Sequence, residues 1–539
     1  YDIVYGDVML NFNYNINRFD IAATVGWTGR YENMNNMRVS TNGGLVTENW
    51  FDLNASRYTP SSTLQRMELL KTGYMGTLSL GWDNYLFLEL TGRQERSSTL
   101  KDQSFFYPSA NLSFLFTQAF HMPSWWNYGK LRLSYGIVGN APETYTANIV
   151  YEQGSDNGFT WNTIPSSWGN ADIRPEKKYE YEIGLESKFL NNRLGIDISY
   201  YNNRVKDQIL STPQPSTSGV KNVLMNVGEV ANHGWDISIS ATPILTRDFR
   251  WDLTANYGVY KNKVVKLADG VPYLEILNSG GSGIKIQAVE GQPMGDIYAQ
   301  VPQVNENGEY LVSDKGLYLN QTELQKVGNI NPAGVGGLFN SFSYKNVFLD
   351  FSIDFRIGGD VINEMNQYAT AVGLTPESLK YRDTEHGGLS YYYPGDNNSS
   401  GIPVQVDPST GAGPNGEIIY HDGIILPGVV ASTGERNTRI IPAGYYYNTT
   451  YNWGTEAEQL TYRHSVFDNS YVKLRELTIG YQFPEKMISK LGLGRLSVSV
   501  FGRNLFYFYK ALKNYDAESS VGTSWANQAT AVSYTHLRA

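Results

Sequence analysis

Cysteine is absent from this 539-residue sequence, which excludes a disulfide framework and any thiolate metal site and leaves the redox compartment unread. No run of about 18 apolar residues occurs anywhere, so a membrane-spanning helix is excluded. Charge is scarce: Asp, Glu, Lys and Arg make up 18%, against about a quarter in average soluble proteins. The 43 Lys and Arg are outnumbered by 52 Asp and Glu, for a net charge of −9, and they form no basic run. Phosphate binding needs clustered cations, so a nucleic-acid partner is excluded. An initiator Met and a signal peptide are also missing, since the sequence opens at Tyr1. An exported protein carries such a peptide, so the true start is expected upstream.

What is present is aromatic residue, 14% of the chain, with 40 Tyr, 22 Phe and 11 Trp, a mixture that favours strands and an apolar boundary. Period-two alternation recurs along the whole length. Leu349, Phe351, Ile353, Phe355 and Ile357 alternate with Asp350, Ser352, Asp354, Arg356 and Gly358. Trp251, Leu253, Ala255 and Tyr257 alternate with Asp252, Thr254 and Asn256, and Leu10, Phe12, Tyr14 and Ile16 with Asn11, Asn13 and Asn15. A mean hydropathy of −0.37 fits a soluble protein, but it also fits strands with one face to lipid and the other to a polar lumen.

The connections separate these readings. Tight turns at Asn17-Arg18, Asp83-Asn84, Leu190 to Asn192 and Lys345-Asn346 alternate with long irregular stretches near 31–72, 141–178, 205–227, 262–336 and 359–468. Alternating short and long connections put all tight turns at one end of a meander and all long loops at the other. An outer-membrane barrel has short periplasmic turns and long extracellular loops; a soluble sandwich gives no reason for such parity. Aromatics also collect near strand ends, at Trp27, Tyr31, Trp82, Tyr85, Tyr344 and Phe506 to Tyr509, as interfacial girdles do. The fold class expected is therefore all-β, a transmembrane antiparallel β-barrel.

Several ordered segments give this chain a family likeness. They are Lys130-Leu-Arg-Leu-Ser-Tyr-Gly-Ile-Val-Gly-Asn140, Ile173-Arg-Pro-Glu176, Asn226-Val-Gly-Glu-Val-Ala-Asn-His-Gly234, Gly291-Gln-Pro-Met-Gly295, Arg356-Ile-Gly-Gly-Asp360, Ser470-Tyr-Val-Lys-Leu-Arg-Glu-Leu-Thr-Ile-Gly-Tyr-Gln-Phe-Pro484 and Gly502-Arg-Asn-Leu505. In that order they resemble the SusC/RagA-like TonB-dependent outer-membrane transporters, which import glycans or peptides in Bacteroidetes-type bacteria. The resemblance implies a barrel of roughly 22 strands, of which about 14 are present here. It also implies an N-terminal plug, a segment that engages the TonB complex, and a SusD-like surface lipoprotein as partner. Neither plug nor TonB-engaging segment has a counterpart in this sequence.

Candidate chemistry is thin. The six His, at 121, 233, 386, 421, 464 and 536, lack zinc-ligand spacing, and no metal or cofactor is expected. Ser470-Tyr-Val-Lys473 has the S-x-x-K spacing of penicillin-binding enzymes but sits in a strand without the companion motifs. Gln303 to Gly308 resembles the start of a calcium loop, with Gln303 in place of the first acidic ligand and Asp314 in place of the terminal Glu; a polar turn explains it as well. With no acid/base or nucleophile constellation, no enzyme activity is expected. Cargo contact is expected from aromatic faces on the long loops: Trp161, Trp168, Tyr391, Tyr392, Tyr393, Tyr445, Tyr446, Tyr447 and Trp453. Such faces stack on sugars or pack on peptide side chains, or they pack the loops against each other. The alternative function is a soluble or surface-attached all-β glycan-binding module.

Three expectations follow for the structure. The apolar set Leu349, Phe351, Ile353 and Phe355 faces outward and is exposed. Residues 1–531 are part of a barrel that begins after the plug and about seven strands and lacks its closing strand. Residues 532–539 (Val532-Ser-Tyr-Thr-His-Leu-Arg-Ala539) form an adaptor-like tail without the terminal aromatic of a last barrel strand.

Overall fold

The computed structural model describes residues 1–101, 104–156, 158–279, 283–395, 401–452 and 461–518. They form two compact units, Tyr1–Pro243 with Tyr260–Pro272, and Ile244–Val259 with Tyr273–Ala539. Each is built on an antiparallel meander.

In the first unit nine long strands pair in chain order: β1 (Asp2–Ile16), β2 (Phe19–Leu45), β3 (Ser56–Trp82), β4 (Leu86–Ser97), β5 (Ser104–Phe114), β6 (Trp126–Asn140), β7 (Glu176–Phe189), β8 (Leu194–Lys206) and β9 (Glu229–Leu245). The tight turns fall where the sequence places them. Asn17, Asp83, Asn84, Leu190, Asn191 and Asn192 all have φ between 52° and 63°, the left-handed backbone that lets a hairpin follow the strands' twist. Asn and Asp reach it with little strain because their short side chains bond locally.

Register turns local alternation into a two-faced wall. Following ladder partners from β1 to β9 gives Tyr14, Ile21, Leu80, Leu88, Leu112, Leu133, Ile183, Tyr200 and Trp235, an unbroken apolar row. One residue away, the opposite face reads Asn13, Ala22, Ser79, Glu89, Asn111, Ser134, Glu182, Tyr201 and Gly234, small or polar but for Tyr201. A one-residue slip in any ladder would break both rows. Four of the nine members of the apolar row are exposed, Tyr14 at 62%, Leu133 at 39%, Ile183 at 48% and Trp235 at 49%, and Ile21, Leu80, Leu88, Leu112 and Tyr200 are half-buried. Toward the tight-turn end the aromatics touch in series, Phe19 to Trp82 at 6.5 Å, Trp82 to Tyr85 at 5.3 Å, Tyr85 to Phe114 at 6.1 Å and, further along, Phe116 to Trp126 at 5.3 Å and Trp126 to Phe189 at 5.4 Å. Such a belt suits a membrane interface.

In the second unit β10 (Phe249–Lys266), β11 (Gly334–Tyr344), β12 (Val347–Ile357), β13 (Tyr471–Gln482) and β14 (Ser497–Lys510) pair in chain order, and Lys345 takes a φ of 52° in the turn between β11 and β12. Here Trp251, Phe342, Leu349, Ile479 and Val500 form the apolar row, while Asp252, Ser341, Asp350, Thr478 and Phe501 are their counterparts one residue on.

Three expectations need correcting. Leu349, Phe351, Ile353 and Phe355 are half-buried rather than exposed. Phe351 is shaded by Phe342 of the adjacent β11 at 6.0 Å, and Phe355 by Tyr257 of β10 at 6.1 Å, which reaches across β11 where Gly336 has no side chain. The stretch 31–72 is not an irregular loop: β2 and β3 run through it as a paired ribbon. Parity of connection length also has exceptions, since the tight-turn end carries 115–125 with α1 (Phe116–Ala119), and 98–103 is short at the other end.

Candidate functional site

The polar face gathers charge from neighbouring strands. Arg132 on β6 donates to both carboxylate oxygens of Asp197 on β8, at 3.2 and 2.6 Å, and lies 3.5 Å from Glu186 on β7. On the second unit's wall Arg475 on β13 donates to Asp354 on β12 at 2.5 Å and to Asn504 on β14 at 2.7 Å. It also meets Glu518, whose second partner is Lys473 at 2.5 Å. The Arg475 guanidinium, with Lys473, pulls the Glu518 carboxyl down to about 2. Multivalent ion pairs of this kind sit facing a lumen; facing hydrocarbon they would be costly.

At the long-loop end each unit folds its loops into small sheets. In the first unit, 209–213 pairs with 222–226 and the latter with Ser167–Trp168, over a core of Leu100, Phe105 and Ile173. Trp161 stands on a hairpin (Glu152–Asp156 with Phe159–Thr163), 46% exposed. Its ring lies over Gly154, where an added Cβ would come within 2.6 Å. Trp168 is half-buried, edge-on to Tyr151 at 6.2 Å.

The second unit's loops have cores of their own. Ile284, Ile286, Ile297, Ile362, Tyr462 and Val466 form one; Tyr391 and Tyr393 with Ile440 form another. Tyr391 is almost fully buried, stacks on Tyr420 at 5.5 Å and donates its hydroxyl to Asp422 at 3.1 Å. Beside them α2 (Glu364–Ala371) packs against α3 (Ala443–Tyr451). Within α3, Tyr447 is buried and its hydroxyl donates to the Glu377 carbonyl at 2.7 Å, while Tyr445 and Tyr446 are half-buried. Of the nine aromatic candidates, burial therefore assigns Tyr391, Tyr393 and Tyr447 to loop packing. Trp161 stays open, and Trp168, Tyr392, Tyr445 and Tyr446 keep part of a surface. Trp453 lies outside the described residues.

Sequence reasoning missed a cavity of ≈ 630 Å³ beside α2 and α3. Asn366, Thr370, Glu377, Tyr446, Tyr451 and His464 line it together with residues 511–514. Its parts are about 150 residues apart in sequence, so no local motif announces it. His464 stacks on Tyr451 at 4.3 Å; burial, with Arg463 adding repulsion, pushes its imidazole down to about 4. Elsewhere the singled-out motifs are structural. Ser470 Oγ donates to Asp468 at 2.6 Å and accepts from the Gly358 amide at 2.7 Å. Asn305 to Gly308 is a polar turn in which Asn305 Oδ1 accepts the amides of Asn307 and Glu309, and Asp314 is held by Ser432. Among the described residues no group of three His, Asp or Glu is placed to share a metal ion.

A wall with an apolar, outward row on one side, hydrogen-bonded charge on the other, tight turns at one end and folded loops at the opposite end is that of an outer-membrane β-barrel. The chain belongs to the TonB dependent receptor-like β-barrel family, whose model matches residues 1–505. It is 24% identical over 494 residues to a TonB-dependent receptor of Formosa agariphila, covering 83% of this chain and 42% of that protein. Over 247 residues it is 30% identical to the TonB-dependent receptor SusC of Bacteroides thetaiotaomicron, covering 42% of this chain and 24% of that protein. In fold it matches a chain of the RagAB peptide transporter with a TM-score of 0.69 at 18% identity, over 96% of this chain and 53% of that one. The chain thus spans less than half the length of these two relatives and about half of the structural neighbour. The SusC/RagA likeness read from the motifs is matched by these relatives, and the protein is located in the outer membrane.

Proposed function

We propose that this chain is wall and loops of a TonB-dependent importer of oligosaccharides or peptides. In this reading the whole protein works with a SusD-like surface lipoprotein and is driven through the TonB complex. The observation that carries it is the paired register rows, because a wall greasy outside and charged inside suits a polar cargo path through lipid. Partly open aromatics on the loops, Trp161, Trp168, Tyr392, Tyr445 and Tyr446, offer faces on which sugar rings or peptide side chains pack. The alternative, a soluble or surface-attached glycan-binding module, would have to cover the apolar row, and the exposure of Leu133, Ile183 and Trp235 disfavours it.

The test is uptake of labelled oligosaccharide and labelled peptide pools by cells carrying or lacking the full-length protein. Accumulation of one pool is expected only with the protein present, and a protonophore or loss of TonB should abolish it. Uptake of both pools indifferent to the protein, or recovery of the protein in the soluble fraction, would refute the reading.

A further inference from the structure

The two ends of the second unit's strands carry opposite signs of charge. At the long-loop end the connection 359–468 has 13 Asp and Glu against five Lys and Arg. At the tight-turn end the sign reverses: Arg247, Lys345, Lys486, Lys490 and Arg495 stand against Asp248 and Glu485, all of them exposed. Just inside β10, Arg250 and Asp252 neutralise each other at 2.5 Å. Among the described residues none of the five cations forms an ion pair, although the chain as a whole has a net charge of −9.

Three of the five lie on the connection between β13 and β14, residues 483–496, which is folded. The Phe483 amide donates to the Leu496 carbonyl at 2.9 Å and closes its base. A short α4 (Glu485–Ile488) continues as a 3-10 turn (Ser489–Leu491) and ends at Gly492, whose φ of 71° lets the Leu493 amide reach the Ile488 carbonyl at 3.3 Å. Ile488 is buried, while Met487 is 59% exposed and Leu493 43% exposed. Lys486 and Lys490 stand about one helical turn apart, where like charges repel unless an anion lies between them.

Height sets this connection at the edge of the lipid. Two residues beyond the apolar row, on the same face, the ladders from β11 to β14 align Tyr344, Val347, Tyr481 and Val498, each exposed. Phe483 extends this last lipid-facing rung, edge-on to Tyr481 at 5.1 Å. Lys345 comes one residue after it, its ammonium 5.3 Å from the Tyr344 ring, and the Asn346 side chain ties that turn to the connection by donating to the Gln482 carbonyl at 2.8 Å. Each strand residue advances about 3.3 Å, and the headgroup layer is on the order of 5–7 Å deep on each side of the hydrocarbon. The cations therefore stand at the level of lipid phosphate. A turn solvated by water alone has no use for a bare Met and Leu among its cations, whereas that mixture beneath a tyrosine rung suits a membrane interface.

We infer that the β13–β14 connection, with Lys345 beside it, is a binding site for the phosphate of anionic phospholipid headgroups in the periplasmic leaflet. Lys486, Lys490 and Arg495 hold the phosphate, and Met487 and Leu493 enter the boundary of the acyl chains. The inference rests on the outer-membrane wall and not on what the protein imports.

The experiment reconstitutes the full-length protein in phosphatidylcholine vesicles that contain a minor share of phosphatidylglycerol. A headgroup diazirine is carried by the phosphatidylglycerol in one preparation and by the phosphatidylcholine in the other, and cross-links are mapped by peptide mass spectrometry. A cation near an anionic surface contributes about fivefold in binding, so the peptide spanning 483–496 should take the anionic probe at least about tenfold over the zwitterionic one, mole for mole. Lys486→Gln with Lys490→Gln and Arg495→Gln should bring that ratio below about twofold while the heat-modifiable gel shift of a folded barrel is retained. Equal labelling of the unaltered protein by both probes, or an unchanged ratio in the folded variant, overturns the site. If the variant does not fold, salt decides on the unaltered protein: the anionic preference should collapse as ionic strength rises, and its persistence overturns the site. Competition by inorganic phosphate, with none by chloride at equal ionic strength, overturns the lipid assignment in favour of a free anion.

Discussion

Phe351 and Asp354 are three positions apart on β12 and on opposite faces, so they meet different solvents. Arginine in place of Phe351 would set a guanidinium against lipid near the midplane, at a cost of about 2–4 kcal/mol. Leucine in place of Asp354 removes one partner of Arg475, which keeps Glu518. Both groups of that pair are about a third exposed, so the loss should stay under about 1 kcal/mol. Reversible urea unfolding of the full-length protein from lipid vesicles checks the difference; equal losses would contradict the assigned faces. His464 makes a second residue-scale prediction. Its folded-state imidazole is pushed down to about 4, below the ordinary value of about 6.5, so the unfolded loop takes up a proton first as pH falls. The packing it contributes is fully present above about 6.5 and declines as the pH drops toward 4. Protection of the α3 amides, taken relative to their intrinsic exchange rate at each pH, should fall over that window in the unaltered protein, and much less in His464→Phe, which keeps the stack on Tyr451. Identical pH profiles would show that another group is responsible.

The turns are the elements most exposed to single changes. Asp83 and Asn84 both sit at positive φ, so Asn84→Val, with a β-branched side chain in left-handed backbone, should cost about 1–2 kcal/mol. A slower or less complete refolding of the barrel in detergent is the expected readout, and unchanged folding would mean that the turn does not set the β3–β4 register. These turns and the strands beside them were legible in sequence because a strand in lipid must alternate and a hairpin there must close tightly. The ribbon was not. Once β2 and β3 leave the bilayer, water lies on both faces, and Asn33, Asn35, Asn36 and Ser40 to Gly44 read as loop although each strand continues. The loop aromatics were legible as a set but not one by one: Tyr391, Tyr392 and Tyr393 are identical in sequence, and the first and third turn inward onto Ile440 and Tyr420. Nothing local distinguishes them, because the residues that bury them come from another part of the same long connection. The cavity beside α2 needed three separated segments to meet.

At the scale of the whole molecule the central claim is that two register rows, nine residues wide in the first unit and five in the second, divide lipid from a polar lumen. The absence of cysteine from these 539 residues makes this directly measurable, since each introduced cysteine is the only thiol in this stretch once any cysteine elsewhere in the full-length protein is replaced by serine. Single cysteines placed in turn at Glu180, Tyr181, Glu182, Ile183, Gly184 and Leu185 on β7 of the full-length protein in vesicles would each carry a fluorophore. Quenching by brominated lipid should be strong at 181, 183 and 185 and weak at 180, 182 and 184, with an aqueous quencher giving the reverse order. Quenching by the aqueous agent at all six positions, or no alternation with either agent, would contradict the account.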